Sequence, residues 1–232
     1  MQRPLTNAEV SELKDIVTAY VNRNCVFVCN PEVQYVPELP KGTIPSANGN
    51  PCTWQVYLRR LTHSSDMMAC VALLITDAIT KKNYKFDEFQ FAGLETSAIP
   101  MISFIQGLIR RYELYVDSFS VRKERKGYGL FNFVDGVPAR KDVMILDDII
   151  NSGSSVNRVL ETALYELDLN PVLDCYCILN LNPEKTVHIF NGFLINVNSI
   201  ITKNDLNLTY SDSRYWLPED CQKSVNFRPD YR

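Results

Sequence analysis

The chain has 232 residues, 46% of them hydrophobic and 22% charged. Those figures exclude a wholly disordered chain, a collagen and a coiled-coil rod, and the length fits one domain or one domain with an appendage. With 24 basic against 27 acidic residues the formal net charge is −3, which carries no electrostatic footprint for a nucleic acid polymer, although a small anionic ligand needs only a local site.

Along the chain, Val10, Leu13, Val17 and Tyr20 recur at helical spacing behind a cap at Thr6 or Asn7, predicting a helix over residues 7 to about 20. A short strand is expected at 26–28. Residues 30–53, rich in Pro, Gly and Asn, predict a long connection or a small irregular lobe, and 55–58 a further strand. Ser64-Ser-Asp66 opens a helix to about Ile79, with Met67, Val71, Leu74 and Ala78 on one face. A strand–helix rhythm follows: strand 89–92, helix 99–111, strands 117–121 and 143–146, helix 155–166, and strands 172–179 and 193–197. That alternation predicts an α/β fold with a mainly parallel sheet flanked by helices. It is expected to form one domain over 1–206, with 1–62 supplying a helix and a small N-terminal lobe. Residues 207–232 would be a polar extension.

The longest apolar run, 69–75, is far short of the ~20 residues that span a bilayer. The first nine residues lack a basic segment leading into an apolar core. The expectation is a cytoplasmic protein without membrane attachment. Seven cysteines and two histidines, at spacings unlike metal sites, argue against disulfides, zinc and a histidine-based catalytic centre.

The stretch that carries chemistry is Val143-Met-Ile-Leu-Asp-Asp-Ile-Ile-Asn-Ser-Gly-Ser-Ser155. A buried strand brings Asp147 and Asp148 to its C-terminal end, the edge where open α/β sheets bind ligands. Asn151, Ser152, Gly153, Ser154 and Ser155 then lead into a helix N-terminus, whose unpaired N–H groups and dipole favour phosphate. Acids beside a phosphate cradle suit a phosphosugar: carboxylates accept from ribose hydroxyls while the loop holds the phosphate. The plainer reading is a solvated Asp-Asp turn before a capped helix.

This segment resembles the phosphoribosyl pyrophosphate (PRPP) motif of type I phosphoribosyltransferases, with Asn151 where Thr is usual. The resemblance implies that Asp147 and Asp148 bind the ribose hydroxyls and residues 151–155 the 5-phosphate. Two further segments follow the family's order. Ala92-Gly-Leu-Glu-Thr-Ser-Ala-Ile-Pro100 is similar to its pyrophosphate loop, implying pyrophosphate at Thr96 and Ser97; alone it is also an ordinary strand-to-helix turn. Ser120-Val-Arg-Lys-Glu-Arg-Lys-Gly-Tyr-Gly129 is similar to the basic loop of orotate phosphoribosyltransferases, implying that Arg122, Lys123 and Lys126 meet pyrophosphate. Alone it is also a solvated basic hairpin.

The implied catalytic set is Lys126, Asp147 and Asp148, with Mg²⁺ as cofactor and no protein residue singled out as its direct ligand. The implied reaction joins PRPP and a nitrogenous base, orotate or a relative, to give a nucleoside monophosphate and pyrophosphate. A homodimer is implied, with residues around 41–50 in a hood over the base. The departures concern the base and the leaving group. The pyrophosphate-loop lysine is missing, and Tyr128 replaces a histidine. Asn180-Leu-Asn-Pro183 stands where an arginine usually meets the orotate carboxylate, and Lys185 is the nearest cation. The alternative is a catalytically weak or inactive PRPP- or nucleotide-binding regulatory protein on the same fold.

Overall fold

Thr6 opens the first helix, α1 (Asn7–Asn24), through reciprocal bonds with Glu9. The Thr6 hydroxyl accepts from the Glu9 amide at 3.3 Å, and the Glu9 carboxylate accepts from the Thr6 amide at 2.8 Å. Two donors that a helix start leaves open are thereby satisfied. The computed structural model describes residues 3–46, 48–124, 133–184, 187–190 and 192–210. These divide into two compact units: 62–205 with the residues up to Thr18, and 19–61 with those from Leu206 on.

In the second unit, β1 (Val26–Val28), β2 (Ile44–Pro45), β3 (Pro51–Cys52) and β4 (Trp54–Val56) form two antiparallel ribbons, β1 with β4 and β2 with β3. Phe27, Cys29, Tyr35, Val36 and Ile44 make its small core. The strand expected at 55–58 lies slightly earlier, and a one-turn helix, α2 (Arg59–Thr62), follows.

The larger unit continues with α3 (Ser65–Lys81), β5 (Phe89–Leu94), α4 (Ala98–Arg110), β6 (Asp117–Val121), β7 (Val134–Gly136), β8 (Asp142–Ile150) and α5 (Ser154–Glu161). The Ser64 side chain caps α3 by accepting from the Met67 amide. α5 widens into a π-type turn over Thr162–Glu166, where the Leu167 amide reaches back to the Thr162 carbonyl at 3.2 Å. β9 (Pro171–Asn180), β10 (Val187–Phe190) and β11 (Phe193–Thr202) complete the sheet.

Among the described residues the sheet has seven strands in the order β10-β11-β9-β8-β5-β6-β7. The five inner strands are parallel; β7 and β10 close the edges antiparallel. This is the α/β architecture the strand–helix rhythm predicts. Ala92, Phe119, Ile145, Cys175 and Cys177 pack against Val156, Val159 and Leu160 of α5, forming the core on one face. Burying the Phe, Ile, Val and Leu side chains among these contributes roughly 1.5–3 kcal/mol each.

Two expectations need correction. β8 runs past Leu146 to Ile150, because its ladder with β9 continues through Asp147↔Cys177 to Ile150↔Asn180. Asp147 and Asp148 therefore lie inside the strand, not beyond its end. The helix expected over 155–166 starts at Ser154 and leaves α-geometry at Glu161.

Candidate functional site

Because β5, β6, β8 and β9 are parallel, their C-terminal ends share one edge of the sheet. Residues 95–97, 122–123, 147–155 and 180–182 gather there. Gly93 makes the convergence possible. A Cβ at this position would lie 2.3 Å from the Ala98 Cβ and 2.7 Å from the Leu146 carbonyl oxygen. Only glycine lets β5 pass so close to β8 and α4 just before the acids. The turn beyond holds a cis peptide between Glu95 and Thr96. Thr96 is exposed, and half-buried Ser97 precedes the first turn of α4.

The two acids are not equivalent. Asp147 is 4% exposed and lies on the face of Cys177, its partner across the ladder. Asp148 is only half-buried. Asp147 Oδ1 accepts from the Asp148 amide at 3.0 Å, and Asp148 Oδ1 from the Ile149 amide at 2.9 Å. Burial pushes the Asp147 carboxyl well above the ordinary range; the neighbouring Asp148 charge adds to this and Lys123 opposes it. Burial, then the two acids, likewise push the Cys177 thiol up. Among the described residues no group of three or more His, Cys, Asp or Glu side chains is arranged to hold a metal.

After β8 the chain turns at Gly153, whose φ of 79° and ψ of 13° are left-handed. The Asn157 amide donates to the Gly153 carbonyl at 2.9 Å, so the amides of Ser154, Ser155 and Val156 precede the first bond of the helix. Asn151, Ser152 and Ser154 are exposed, and Ser155 is half-buried. The Ser152 hydroxyl accepts from the Ser154 amide at 3.4 Å. This loop is braced from β9. The Asn182 side-chain amide donates to the Asn151 carbonyl, and the Leu181 amide to the Ile150 carbonyl at 2.8 Å. Asn182 in turn donates its own amide to Asn180 Oδ1 at 2.9 Å. No signal in the sequence marks Asn182 as a brace.

Residues 122 and 133 close the β6–β7 hairpin: the Arg122 amide donates to the Phe133 carbonyl at 2.8 Å. The Arg122 guanidinium pairs with Asp135 at 2.6 Å and with Glu95 at 3.6 Å. Lys123 is exposed, and its amide donates to Glu95 Oε1 at 3.1 Å. No signal in the sequence marks Glu95 or Asp135 as a partner of Arg122. The register Leu94↔Val121 and Ser120↔Asp135 sets them beside Arg122. Lys126, Tyr128 and Lys185 lie outside the described residues.

No protein-family model matches the chain. It is 26% identical over 120 residues to the orotate phosphoribosyltransferase of Sulfurisphaera tokodaii, a stretch covering 52% of this chain and 57% of that relative. The match thus spans just over half the length of the curated relative. Among solved structures the chain is similar to a phosphoribosyltransferase from Corynebacterium diphtheriae, with a TM-score of 0.61 and 17% identity over 84% of this chain and 98% of the other. It is also similar to the Mycobacterium tuberculosis orotate phosphoribosyltransferase, with a TM-score of 0.57 and 17% identity over 86% and 99%. The fold is that of the phosphoribosyltransferases, as the motif resemblance implies.

Proposed function

We propose that this phosphoribosyltransferase fold works as a Mg²⁺-dependent enzyme that joins PRPP to a nitrogenous base, orotate or a close relative, and releases pyrophosphate. The observation that carries the reading is the β8–loop–α5 unit. It sets a half-buried and a buried carboxylate beside a left-handed glycine and the first amides of a helix, which precede its own backbone bonds, at the C-terminal edge of a parallel sheet. The similarity to orotate phosphoribosyltransferases supports orotate as the first base to test.

In this reading Ser152, Gly153, Ser154 and Ser155, with Asn151, hold the 5-phosphate against the positive end of α5. Asp148 accepts from the ribose hydroxyls, and Asp147 supports it from behind. A base nitrogen bonds to the anomeric carbon as the bond to pyrophosphate breaks. Positive charge builds on the ribose and negative charge on the leaving group. Lys123 and Lys126, with Thr96 and Ser97, would stabilise the leaving group more in the transition state than in the ground state.

The acid pair fits a divalent cation, because burial and, after it, the neighbouring Asp148 charge hold the Asp147 carboxyl high, and a cation beside the pair would oppose both. When bound, Mg²⁺ would offset charge between pyrophosphate and protein, held by Asp147 or Asp148 together with PRPP oxygens and water. The assembly is proposed as a cytoplasmic homodimer. Among the described residues no helix is long and apolar enough to cross a membrane.

Two observations favour a second reading. Arg122 is engaged with Glu95 and Asp135, and Asn182 braces the phosphate loop where an arginine would face orotate. A PRPP-binding regulator could keep these features. The test is pyrophosphate release from PRPP and Mg²⁺ with orotate, then other pyrimidine and purine bases, using Asp147→Asn/Asp148→Asn as control. Base-dependent release lost in the control supports the enzyme. PRPP binding without release for any base supports the regulator, and neither refutes both.

A further inference from the structure

Glu95 is the first residue after β5, and its carboxylate faces the start of the basic segment. Oε1 accepts from the Lys123 amide at 3.1 Å, and Oε2 lies 3.6 Å from the Arg122 guanidinium. A backbone N–H and a guanidinium converging on two oxygens is the donor set expected for a phosphate group. Glu95 is itself held in place, since its amide donates to the Val121 carbonyl at 2.8 Å. Arg122 does not need Glu95 for neutralisation, because Asp135 pairs with it more closely, at 2.6 Å. Glu95 thus adds a second negative charge to a cation that already has one.

We propose that Glu95 is an internal competitor for the pyrophosphate group, occupying the Lys123 amide and the Arg122 guanidinium until that group displaces its carboxylate. The inference rests on the phosphoribosyltransferase reading and deepens it. Its consequence concerns product release. Pyrophosphate held tightly before and after transfer lowers KM without raising kcat. A tethered carboxylate that returns to the same donors weakens the retained product and speeds its departure.

A merely structural clamp predicts the opposite sign. If Glu95 serves to fix the basic segment, or to hold a cation, removing its charge weakens ligand binding. Calorimetry with inorganic pyrophosphate, PRPP and ribose 5-phosphate, each with Mg²⁺, separates these cases on wild type, Glu95→Gln, Arg122→Ala and the double variant. Glu95→Gln should bind pyrophosphate and PRPP about three- to tenfold more tightly, the size expected for one partly exposed charge. Ribose 5-phosphate, which lacks the leaving group, should be unchanged. The gain should shrink in the Arg122→Ala background, since the two residues act on one ligand. Equal or weaker pyrophosphate binding by Glu95→Gln overturns the competitor while leaving the transferase reading intact. Wild type that binds neither PRPP nor pyrophosphate overturns both.

Discussion

Replacing Gly93 by alanine tests whether the convergence of β5, β8 and α4 positions the site. The added methyl would sit 2.3 Å from the Ala98 Cβ and 2.7 Å from the Leu146 carbonyl oxygen. Carbon atoms rest about 3.5–4.0 Å apart, so Ala98 must retreat by roughly 1.2–1.7 Å. Leu146 cannot yield, because it is fully buried mid-strand in β8 and its ladder partner is Tyr176. β5 must instead be pushed off the Leu146 carbonyl, and the start of α4 off the added methyl, carrying the 95–97 turn with it. Overpacking of this kind costs about 1–3 kcal/mol. For a chain of this size that is a fall in Tm of roughly 2–12 °C. A shift of about 1 Å at a binding loop can cost ~10²-fold in turnover. Thermal unfolding and PRPP kinetics read the two effects. Gly107, on the same helix, is the control: nothing lies within 4 Å of its added Cβ. Gly107→Ala should therefore stabilise by about 0.5–1 kcal/mol. A Gly93→Ala protein with unchanged Tm and PRPP kinetics would refute the argument.

Asp147→Asn should raise stability at neutral pH while lowering PRPP-dependent turnover by about tenfold, since the negative charge behind Asp148 is lost while the bond from the Asp148 amide is kept. The folded carboxyl titrates above its unfolded value of about 3.9, so the wild type loses stability as pH rises from there through the folded pKa; urea titrations in which the variant shows the same slope would contradict this. Asn182→Ala removes the bond to the Asn151 carbonyl and should raise the KM for PRPP by about five- to tenfold, with kcat nearly unchanged. Far from the site, buried Asp174 receives Lys82, Tyr84 at 2.6 Å and Asn198 at 2.8 Å. Burial alone would raise its carboxyl, but these bonds hold it below the ordinary range, so its contribution is present above about pH 3.9 and lost as pH falls through the folded pKa. Lys82→Met should cost about 1–2 kcal/mol at pH 7 by urea unfolding, because Lys82 is partly exposed and screened, and acid unfolding should begin at higher pH.

The sequence and the structure agree where the signal is local. Ser64 caps α3 three residues before the amide it accepts from, and the apolar run from Val143 to Leu146 lies inside β8. They part where the cause is a neighbour. Asp147 and Asp148 read as the end of a strand because hydrophobicity stops at Leu146, yet the ladder to β9 carries the strand four residues on. β7 and β10 are edge strands of three and four residues held by pairing with β6 and β11, too short to carry a pattern of their own. The π-type turn depends on how the chain leaves α5, with the Leu169 amide reaching the Ala163 carbonyl at 2.8 Å.

The same distinction runs through the site. Gly153 and the serines after it are recognisable because their chemistry is written in consecutive residues. Glu95, Asp135 and Asn182 meet their partners only through register. Once β5 and β6 pair with Leu94 opposite Val121, residue 95 must adjoin residue 122, and a carboxylate there must meet Arg122. Parity then separates the two acids. Side chains alternate along a strand, so Asp147 shares the α5 face with Ile145 and Cys177, where it is covered. Asp148 projects the other way and keeps access. The pair is thus a buried carboxyl behind an accessible one, and the division of labour follows from the period of two: Asp148 contacts the sugar, while Asp147 sets the charge behind it. On that reasoning Asp148→Asn should weaken PRPP binding without the gain in stability expected of Asp147→Asn. Calorimetry and urea unfolding of the two single variants would expose the asymmetry, and equal effects from both would return the pair to two equivalent ligands.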